Sequence, residues 1–248
     1  MAVEASPKLK ILLFDIETMA TLGYVWGRYE QDVISEEKEW YMLCYCAKWL
    51  DKKQVIRKGL PDFSLYKRDK ENDRELVKSL WQLFDEADII IAHNGNSFDI
   101  KKSNAKFIEH GLLPPSPYKT IDTKLVAKSN FKFDSNKLDD LGIYLGLGRK
   151  LHTGGFELWK SCARGDMKAW KKMLDYNAQD VILLEKVYLK MQGWVKNPPD
   201  RRVLHRKMNS CPSCNSNNTS KRGFHLTITV KKQRNQCMLC GHWFLTKL

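Results

Sequence analysis

The sequence lacks the features of a membrane-spanning or a secreted protein. No apolar run in its 248 residues approaches the ~18 residues that a transmembrane helix needs. The first ten residues, MAVEASPKLK, contain neither the apolar core nor the cleavage signal of a secretory leader. Repeats and low-complexity tracts are lacking as well. We therefore expect no membrane attachment and a cytoplasmic location, or a location wherever the host keeps its nucleic acid.

Acidic residues are scarce in the last part of the chain. Residues 191–248 contain 11 lysines and arginines but only one acidic residue, whereas the first 190 residues are nearly balanced in charge. This part therefore carries +10 of the formal net charge of +13. Positive charge concentrated in this way favours a polyanionic partner, and we expect that partner to be nucleic acid.

Cysteine is rare in most of the chain and then clusters. Four of the seven cysteines lie in the last forty residues as two pairs, Cys211 with Cys214 and Cys237 with Cys240. Two CxxC pairs separated by 22 residues fit a four-cysteine zinc site. A unit of about forty residues also needs a metal ion or disulfide bonds to be stable, because it buries little apolar surface. We predict one structural Zn²⁺, with two redox or disulfide pairs as the alternative.

The apolar patterns before residue 195 predict one mixed sheet with helices on both faces, hence an α/β fold. The expected strands are at 10–16, 40–49, 54–58, 88–92 and 119–122, and the expected helices at 72–86, 100–111, 124–129, 138–145 and 167–191. The first three strands should form an antiparallel meander. Asp166 is the expected N-cap of the last helix.

The chain is predicted to comprise three units. Residues 1–195 form the sheet-and-helix domain, and residues 209–248 form a small domain around the four cysteines. Residues 196–208 connect them, and Pro198-Pro199 should make this linker stiff.

The C-terminal unit resembles a zinc ribbon, and its ending NQCMLCGHWF is similar to ribbons in transposases and transcription proteins. We expect one strand at His225–Val230 and another around Trp243-Phe244. Lys231, Lys232 and Arg234 are interleaved with aromatic residues, a combination that suits phosphate contact and base stacking. A basic, solvated surface is the alternative.

Four acidic residues stand beside apolar sequence in three separate elements. Asp15 and Glu17 end the apolar run ILLFDIET and lie on the same face, because side chains alternate along a strand. Asp99 follows the fourth strand across a polar turn, and Asp180 lies four residues after Tyr176 at the edge of a buried helix face. Each acid alone is explained by a solvated surface position. Together they indicate a pair of divalent cations, because clustered carboxylates repel each other unless a cation compensates them.

The segments FDIET, HNGNSFD and YNAQD resemble the three exonuclease motifs of the DEDD superfamily, which has a ribonuclease-H-like fold. The middle segment is similar to that of the proofreading domains of family B DNA polymerases. Tyrosine four residues before Asp180 is typical of the tyrosine subgroup, DEDDy, whereas the histidine subgroup has histidine where Asp175 stands. The resemblance covers about residues 8–192. It implies 3′→5′ removal of nucleotides from a nucleic-acid end by two-metal hydrolysis.

The resemblance also implies a role for each motif residue. Asp15 would bridge two Mg²⁺ or Mn²⁺ ions. Glu17 and Asp180 would complete the site of the ion that binds the attacking water, and Asp99 would hold the second ion. Tyr176 would orient that water.

Three further residues near the motifs are candidate substrate contacts. Asn94 either positions the scissile strand or braces its own turn. Thr18 is either a turn hydroxyl or a contact to the terminal nucleotide. Lys150 belongs to a basic loop, 149–155, that either touches the substrate backbone or is simply solvated.

We therefore predict a metal-dependent 3′→5′ exonuclease that acts on single-stranded 3′ ends of DNA or RNA. Its ribbon would bind nucleic acid or a replication or repair protein. The alternatives are a structure-selective endonuclease with the same metal site and a nucleic-acid-binding or recruitment protein with a vestigial nuclease fold. The intact four acids and the tyrosine favour an enzyme.

Overall fold

The computed structural model describes residues 9–29, 32–202 and 209–248. Within these ranges the strands are β1 (Ile11–Thr18), β2 (Leu22–Tyr24), β3 (Ser35–Lys38), β4 (Met42–Trp49), β5 (Ile56–Gly59), β6 (Ile89–Ala92), β7 (Lys119–Asp122), β8 (Thr219–Leu226), β9 (Lys231–Cys237) and β10 (Trp243–Thr246). The helices are α1 (Arg74–Glu86), α2 (Asp99–Glu109), α3 (Thr123–Asn130), α4 (Leu138–Tyr144), α5 (Glu157–Arg164) and α6 (Met167–Met191). Short 3-10 helices occupy Leu60–Asp62, Ser64–Lys67 and Gln192–Trp194.

Five strands form the predicted mixed sheet, in the order β5-β4-β1-β6-β7. β1 pairs antiparallel with β4, which pairs antiparallel with β5, so the predicted meander is confirmed. On its other edge β1 pairs parallel with β6, and β6 pairs parallel with β7. β4 and β6 are almost entirely buried, as expected for the continuous apolar runs of strands covered on both faces.

The two faces of the sheet support separate hydrophobic cores. Leu12, Phe14 and Ile16 of β1 pack in the core formed with α1, α2, α5 and the first half of α6. Ile11 and Leu13 point the other way, into the core formed with α3, α4 and the second half of α6. Helices on both faces are thus confirmed.

Helix α6 runs from Met167 to Met191, as the sequence predicts. Its N-cap is Asp166, whose carboxylate accepts hydrogen bonds from the backbone N–H groups of Lys168 and Ala169. At 1.5 Å per residue, 25 residues span about 37 Å, which is long enough to contribute to both cores.

The predicted strand at His225–Val230 is wrong in its second half. β8 ends at Leu226, and the chain then reverses into β9. The Thr227 hydroxyl accepts the Val230 N–H at 2.9 Å and closes this turn. The β-branched residues at 227–230 therefore form a hairpin turn despite their strand propensity. The β2–β3 hairpin and helix α5 were not predicted.

The C-terminal sheet, β10-β9-β8, lies against the end of α6. Gln192 Nε2 donates to the Ser213 carbonyl at 3.1 Å, and His242 Nδ1 lies 3.2 Å from the Gly193 carbonyl. A Cβ at Gly193 would lie 2.2 Å from the Cys240 carbonyl oxygen, so the close approach requires glycine.

The predicted unit boundaries remain predictions, and part of the predicted linker, 203–208, lies outside the described residues. Among the described residues, no helix is both long and apolar enough to cross a membrane.

Candidate active site and metal centres

Strand β1 presents two carboxylates on the face of the sheet that α6 covers. Asp15 and Glu17 follow Ile11 and Leu13 along the same side of the strand. The pairing of β1 with β4 shifts its register between Glu17 and Thr18, so regular pairing is interrupted just after the second carboxylate.

Helix α6 places Tyr176 and Asp180 opposite these carboxylates. The two residues stand one helical turn apart and lie on the same helix face. The side chain of Asp180 is only 1% exposed, because its neighbours Val181 and Leu184 anchor this part of the helix in the second core.

Three carboxylates meet where β1 and α6 come together. One oxygen from each of Asp15, Glu17 and Asp180 lies within 4.8 Å of the other two. A strand contributes two of the oxygens and a distant helix contributes the third, so only the folded chain brings them together.

Asp99, the fourth predicted acid, is the first residue of α2 and is buried. Its Oδ1 accepts the backbone N–H of Ile16 at 3.4 Å. Since Ile16 lies between the two carboxylates of β1, Asp99 borders the cluster without belonging to the three oxygens that lie within 4.8 Å of one another.

The turn before α2 is held by half-buried His93. Its Nδ1 lies 2.9 Å from the Thr123 hydroxyl, and its Nε2 lies 2.9 Å from the Asn136 carbonyl oxygen. Burial lowers the pKa of His93 to about 4, so the ring is neutral at pH 7. With both ring nitrogens engaged, His93 braces the turn.

Asn94 adopts a left-handed backbone conformation in the same turn, with φ of 66°. Its backbone N–H donates to Asp122 Oδ1 at 3.0 Å, and its side-chain oxygen accepts from Lys124 Nζ at 3.2 Å. These bonds support the turn-bracing alternative for this residue. They also place a cation, Lys124, beside the second motif.

The carboxylates are in an environment that opposes their ionisation. Burial first, and then the charges of its acidic neighbours, raise the pKa of Asp15 well above its usual value. Burial and Asp180 raise the pKa of Glu17 to about 8, and burial raises that of Asp99 to about 6. Burial also raises the pKa of Asp180, although Lys150 opposes this.

The ammonium group of Lys150 already lies beside the cluster. Its Nζ is 2.6 Å from Asp180 Oδ2 and donates to the Tyr176 hydroxyl at 3.0 Å. Burial lowers the pKa of Lys150, but Asp180 and Tyr176 raise it by more, so the lysine stays charged. Burial and then Asp180 raise the pKa of Tyr176 to about 12, so its hydroxyl keeps its proton at neutral pH.

The donor set fits hard divalent cations. All its members are carboxylate oxygens, the ligands that Mg²⁺ and Mn²⁺ prefer. Both carboxylate oxygens of Asp180 are buried, and among the described residues the one cation paired with them is the ammonium of Lys150. A single ammonium cannot balance the charges of Asp15, Glu17, Asp99 and Asp180. The cluster therefore attracts cations.

Sequence reasoning missed Asn177. The residue is completely buried in α6, and its Nδ2 donates to Asp15 Oδ2 at 2.6 Å. The available signal was a polar residue between Tyr176 and Asp180 on a helix face that is otherwise apolar. The hydrogen-bond partner of Asn177 could not be predicted from that signal, because it depends on how α6 packs against β1.

The predicted phosphate-binding cations of the C-terminal unit lie on a different sheet from this cluster. Lys231, Lys232 and Arg234 are on β9. The C-terminal unit contacts the 3-10 helix that follows α6, where Gln192 donates to the Ser213 carbonyl. Lys231 Nζ lies 3.9 Å from the centre of the Phe224 ring, which is 48% exposed.

The four C-terminal cysteines form a compact sulfur cluster. The Sγ atoms all lie within 4.8 Å of one another, with Cys211–Cys240 at 3.7 Å and Cys214–Cys237 at 3.6 Å. No disulfide bond joins these four cysteines. Sulfurs that bind one tetrahedral Zn²⁺ at ~2.3 Å are separated by about 3.8 Å, so the cluster fits this ion.

The two cysteine pairs lie in similar turns. The N–H of the residue after each pair bonds back to the carbonyl of its first cysteine, Asn215 to Cys211 at 2.8 Å and Gly241 to Cys237 at 3.0 Å. Asn215 and Gly241 both have positive φ, 61° and 78°. Each turn thus directs two sulfurs toward a common point.

A third group of possible metal ligands is already paired with a lysine ammonium group. Asp73, Glu109 and His110 lie together, but the buried ammonium of Lys106 is 3.6 Å from Asp73 Oδ2 and 2.8 Å from Glu109 Oε2. Asp73 also accepts the Met42 N–H, so this network is structural.

Comparison with known proteins identifies the family. Residues 30–192 match the RNase_H_2 model of the RNase_H superfamily. Because this match covers more than half of the chain, the protein belongs to the RNase_H superfamily and has the predicted RNase H-like nuclease fold.

One similar solved structure is the family B DNA polymerase from the hyperthermophilic archaeon Pyrobaculum calidifontis. The two are 18% identical, with a TM-score of 0.49, over 76% of this chain and 26% of the polymerase chain. This chain thus spans about a quarter of that polymerase's length. A search of curated proteins found no match.

Proposed function

We propose that the protein is a metal-dependent 3′→5′ exonuclease of the DEDDy subgroup that shortens single-stranded DNA or RNA. One observation carries this proposal: Asp15, Glu17 and Asp180 meet within 4.8 Å, and Asp99 is bonded to the strand between the first two. Four carboxylates beside a protonated tyrosine suit hydrolysis of a phosphodiester better than binding alone.

The four acids would hold two Mg²⁺ or Mn²⁺ ions, one at Asp15, Glu17 and Asp180 and the other at Asp15 and Asp99. Such a pair supplies the charge that stabilises the attacking and leaving oxygens of an in-line displacement. The cluster's raised carboxylate pKa values fit this role, because bound cations favour the ionised forms.

The protein's own groups would orient the reactants. The Tyr176 hydroxyl, which keeps its proton at neutral pH, would position the attacking water through a hydrogen bond. Lys150 would move from Asp180 to a phosphate oxygen of the substrate, since both are anionic partners for its ammonium. Asn177 would keep the Asp15 carboxylate in one rotamer.

Other groups at the rim would bind the strand. Thr18 lies where the pairing of β1 is interrupted, within reach of the terminal nucleotide in this proposal. Phe98 is 41% exposed beside Asp99 and offers a face for base stacking. Asn94 would act through its turn, as its hydrogen bonds to Asp122 and Lys124 support.

The C-terminal unit, residues 209–248, would be a zinc ribbon joined to the nuclease domain by residues 196–208. Cys211, Cys214, Cys237 and Cys240 would bind one structural Zn²⁺. Lys231, Lys232 and Arg234 would contact nucleic-acid phosphates, while a replication or repair protein is the alternative ligand of this surface.

The proposal is tested by digesting single-stranded DNA and RNA, labelled at the 3′ or the 5′ end, with Mg²⁺, Mn²⁺ or chelator. We expect early release of the 3′ label, gradual shortening of the 5′-labelled strand, and no reaction with chelator. A circular single strand should resist digestion. Cleavage of the circle would instead establish the endonuclease, and binding of the strands without any hydrolysis would establish the vestigial nuclease.

A further inference from the structure

A row of residues on α6 runs from the surface into the carboxylate cluster. Lys168, Lys172, Tyr176 and Asp180 stand four residues apart, so they lie on one helix face with about 6 Å between successive positions. The two lysines are exposed, Tyr176 is half-buried, and Asp180 is buried. The basic end of the row therefore leads directly to the two residues proposed for catalysis.

A cavity of about 400 Å³ opens beside this row. The lysines of α6 line one side, and Leu151 and His152 of the loop before α5 line the other. Lys172 Nζ donates to the Thr153 carbonyl at 2.9 Å, which joins the helix to that loop. Tyr176 also lines the cavity, so the cavity borders the candidate active site.

The charge of this cavity is positive. Its one acidic lining residue, Asp175, is paired with Arg57, whose Nη1 lies 2.5 Å from Asp175 Oδ1. Among the described residues, Lys168 and Lys171 form no ion pair, so their charges are available to a ligand. Leu151, which is 49% exposed, adds an apolar surface at the same place.

We infer that Lys168, Lys171 and Lys172 bind the phosphates of the substrate strand on the 5′ side of the bond that is cut. This inference rests on the proposed function, because a 3′→5′ exonuclease holds the rest of its strand on that side. Lysine ammonium groups bind backbone phosphates as point charges without reading the sequence. The apolar side of Leu151 would cover a sugar or base of the same strand. This contact lies on the nuclease domain and is distinct from the basic surface of the ribbon.

The test is a binding measurement that requires no hydrolysis. An eight-nucleotide, fluorescently labelled single strand is titrated with full-length protein in chelator, between about 50 and 200 mM salt. The variant K168Q/K171Q/K172Q removes the three charges. Its matched control, K53Q/K78Q/K190Q, removes three charges from exposed positions that do not line the cavity.

We expect K168Q/K171Q/K172Q to bind more weakly and with a shallower salt dependence. Loss of three phosphate contacts should flatten the slope of log affinity against log salt by about 2 units, which corresponds to about 10²-fold weaker binding at about 0.1 M salt. The control variant should stay close to wild type. An unchanged slope in K168Q/K171Q/K172Q, or an equal change in this variant and the control, would overturn the inference.

Two further measurements distinguish a failure of this inference from misfolding of the variant and from failure of the proposed function. If circular dichroism shows that the triple variant is misfolded, single K168Q and K171Q variants replace it, each with an expected slope change of about 0.7. The two proposals can fail separately. If the protein digests the strand but its affinity does not depend on Lys168, Lys171 and Lys172, only this inference is rejected. If its affinity depends on these lysines but it digests no strand, only the proposed nuclease function is rejected.

Discussion

Asn177 Nδ2 donates a 2.6 Å hydrogen bond to Asp15 Oδ2 across the junction of α6 and β1. The bond joins the helix that carries one carboxylate of the cluster to the strand that carries two. Because Asn177 is completely buried, its amide cannot exchange this partner for water. The orientation of Asp15 is therefore set by the packing of the helix on the sheet.

Asn177→Ala should lower hydrolysis and raise the Mn²⁺ concentration required for half-maximal rate. Loss of an outer partner of a metal-binding carboxylate typically costs about 10–100-fold in metal affinity or activity. The matched control is Gln179→Ala, a change at a partly exposed position of the same helix. An Asn177→Ala enzyme with the wild-type rate and Mn²⁺ requirement would show that Asp15 needs no such support.

Tyr176→Phe should slow hydrolysis without changing the metal requirement. The change removes a hydroxyl that orients water and leaves every carboxylate in place, so the expected loss is about 10²–10⁴-fold. The ring should keep its edge-to-face contact with Trp159, so stability should change little. A wild-type single-turnover rate would mean that the hydroxyl takes no part in the reaction.

The contribution of the carboxylate cluster to the stability of the metal-free protein should fall as pH rises. Burial raises the pKa of Glu17 from 4.5 to about 8 and that of Asp99 from 3.8 to about 6 in the folded state. Folding therefore favours the protonated acids, and their contribution is fully present below about pH 4 and lost on the way to about pH 8. Bound cations reverse this preference, because they favour the ionised forms.

The corresponding measurement is the melting temperature with Mn²⁺ and with chelator. The increase produced by Mn²⁺ should be larger at about pH 8 than at about pH 5. In Glu17→Gln, a change that removes one titrating group, the difference between the two pH values should shrink. An increase that is equal at both pH values in the wild type would contradict the assigned cation site.

Removal of residues 197–248 should leave a folded nuclease domain. Both large cores lie between Leu9 and Val195, so the truncation removes no member of either. If five ribbon cations contact phosphates, the salt slope for a long single strand should flatten by about 3.5 units. The C237S/C240S variant should reproduce part of the loss, since it unfolds the ribbon without removing charge. An unchanged slope would assign the ribbon to a protein partner.

The sequence was sufficient to predict the elements that carry the site. The alternating pattern of β1 placed Asp15 and Glu17 on one face, and the 3.6-residue period of α6 placed Tyr176 above Asp180. Both signals are local, because each depends only on the repeat of one element. The 25-residue length of α6 and its Asp166 cap were equally local signals.

The sequence could not predict which residues of different elements contact each other. The Asn177–Asp15 bond and the Lys150–Asp180 pair join residues 162 and 30 positions apart, and no local repeat encodes such contacts. The same limit explains the error at 227–230. There, β-branched residues have strand propensity, but pairing of β8 with β9 requires a reversal.

The most direct test of the account is a time course on a 5′-labelled single strand with Mg²⁺ or Mn²⁺, comparing wild type with Asp180→Ala. Gln179→Ala is the control, because Gln179 is a partly exposed neighbour of Asp180 on α6 and does not line the lysine cavity. We predict a ladder that shortens from the 3′ end for wild type and control. Asp180→Ala should give no ladder but should bind the strand with an affinity close to that of wild type. An Asp180→Ala protein that digests the strand at the wild-type rate would contradict the assignment of the carboxylate cluster as a two-metal hydrolytic site.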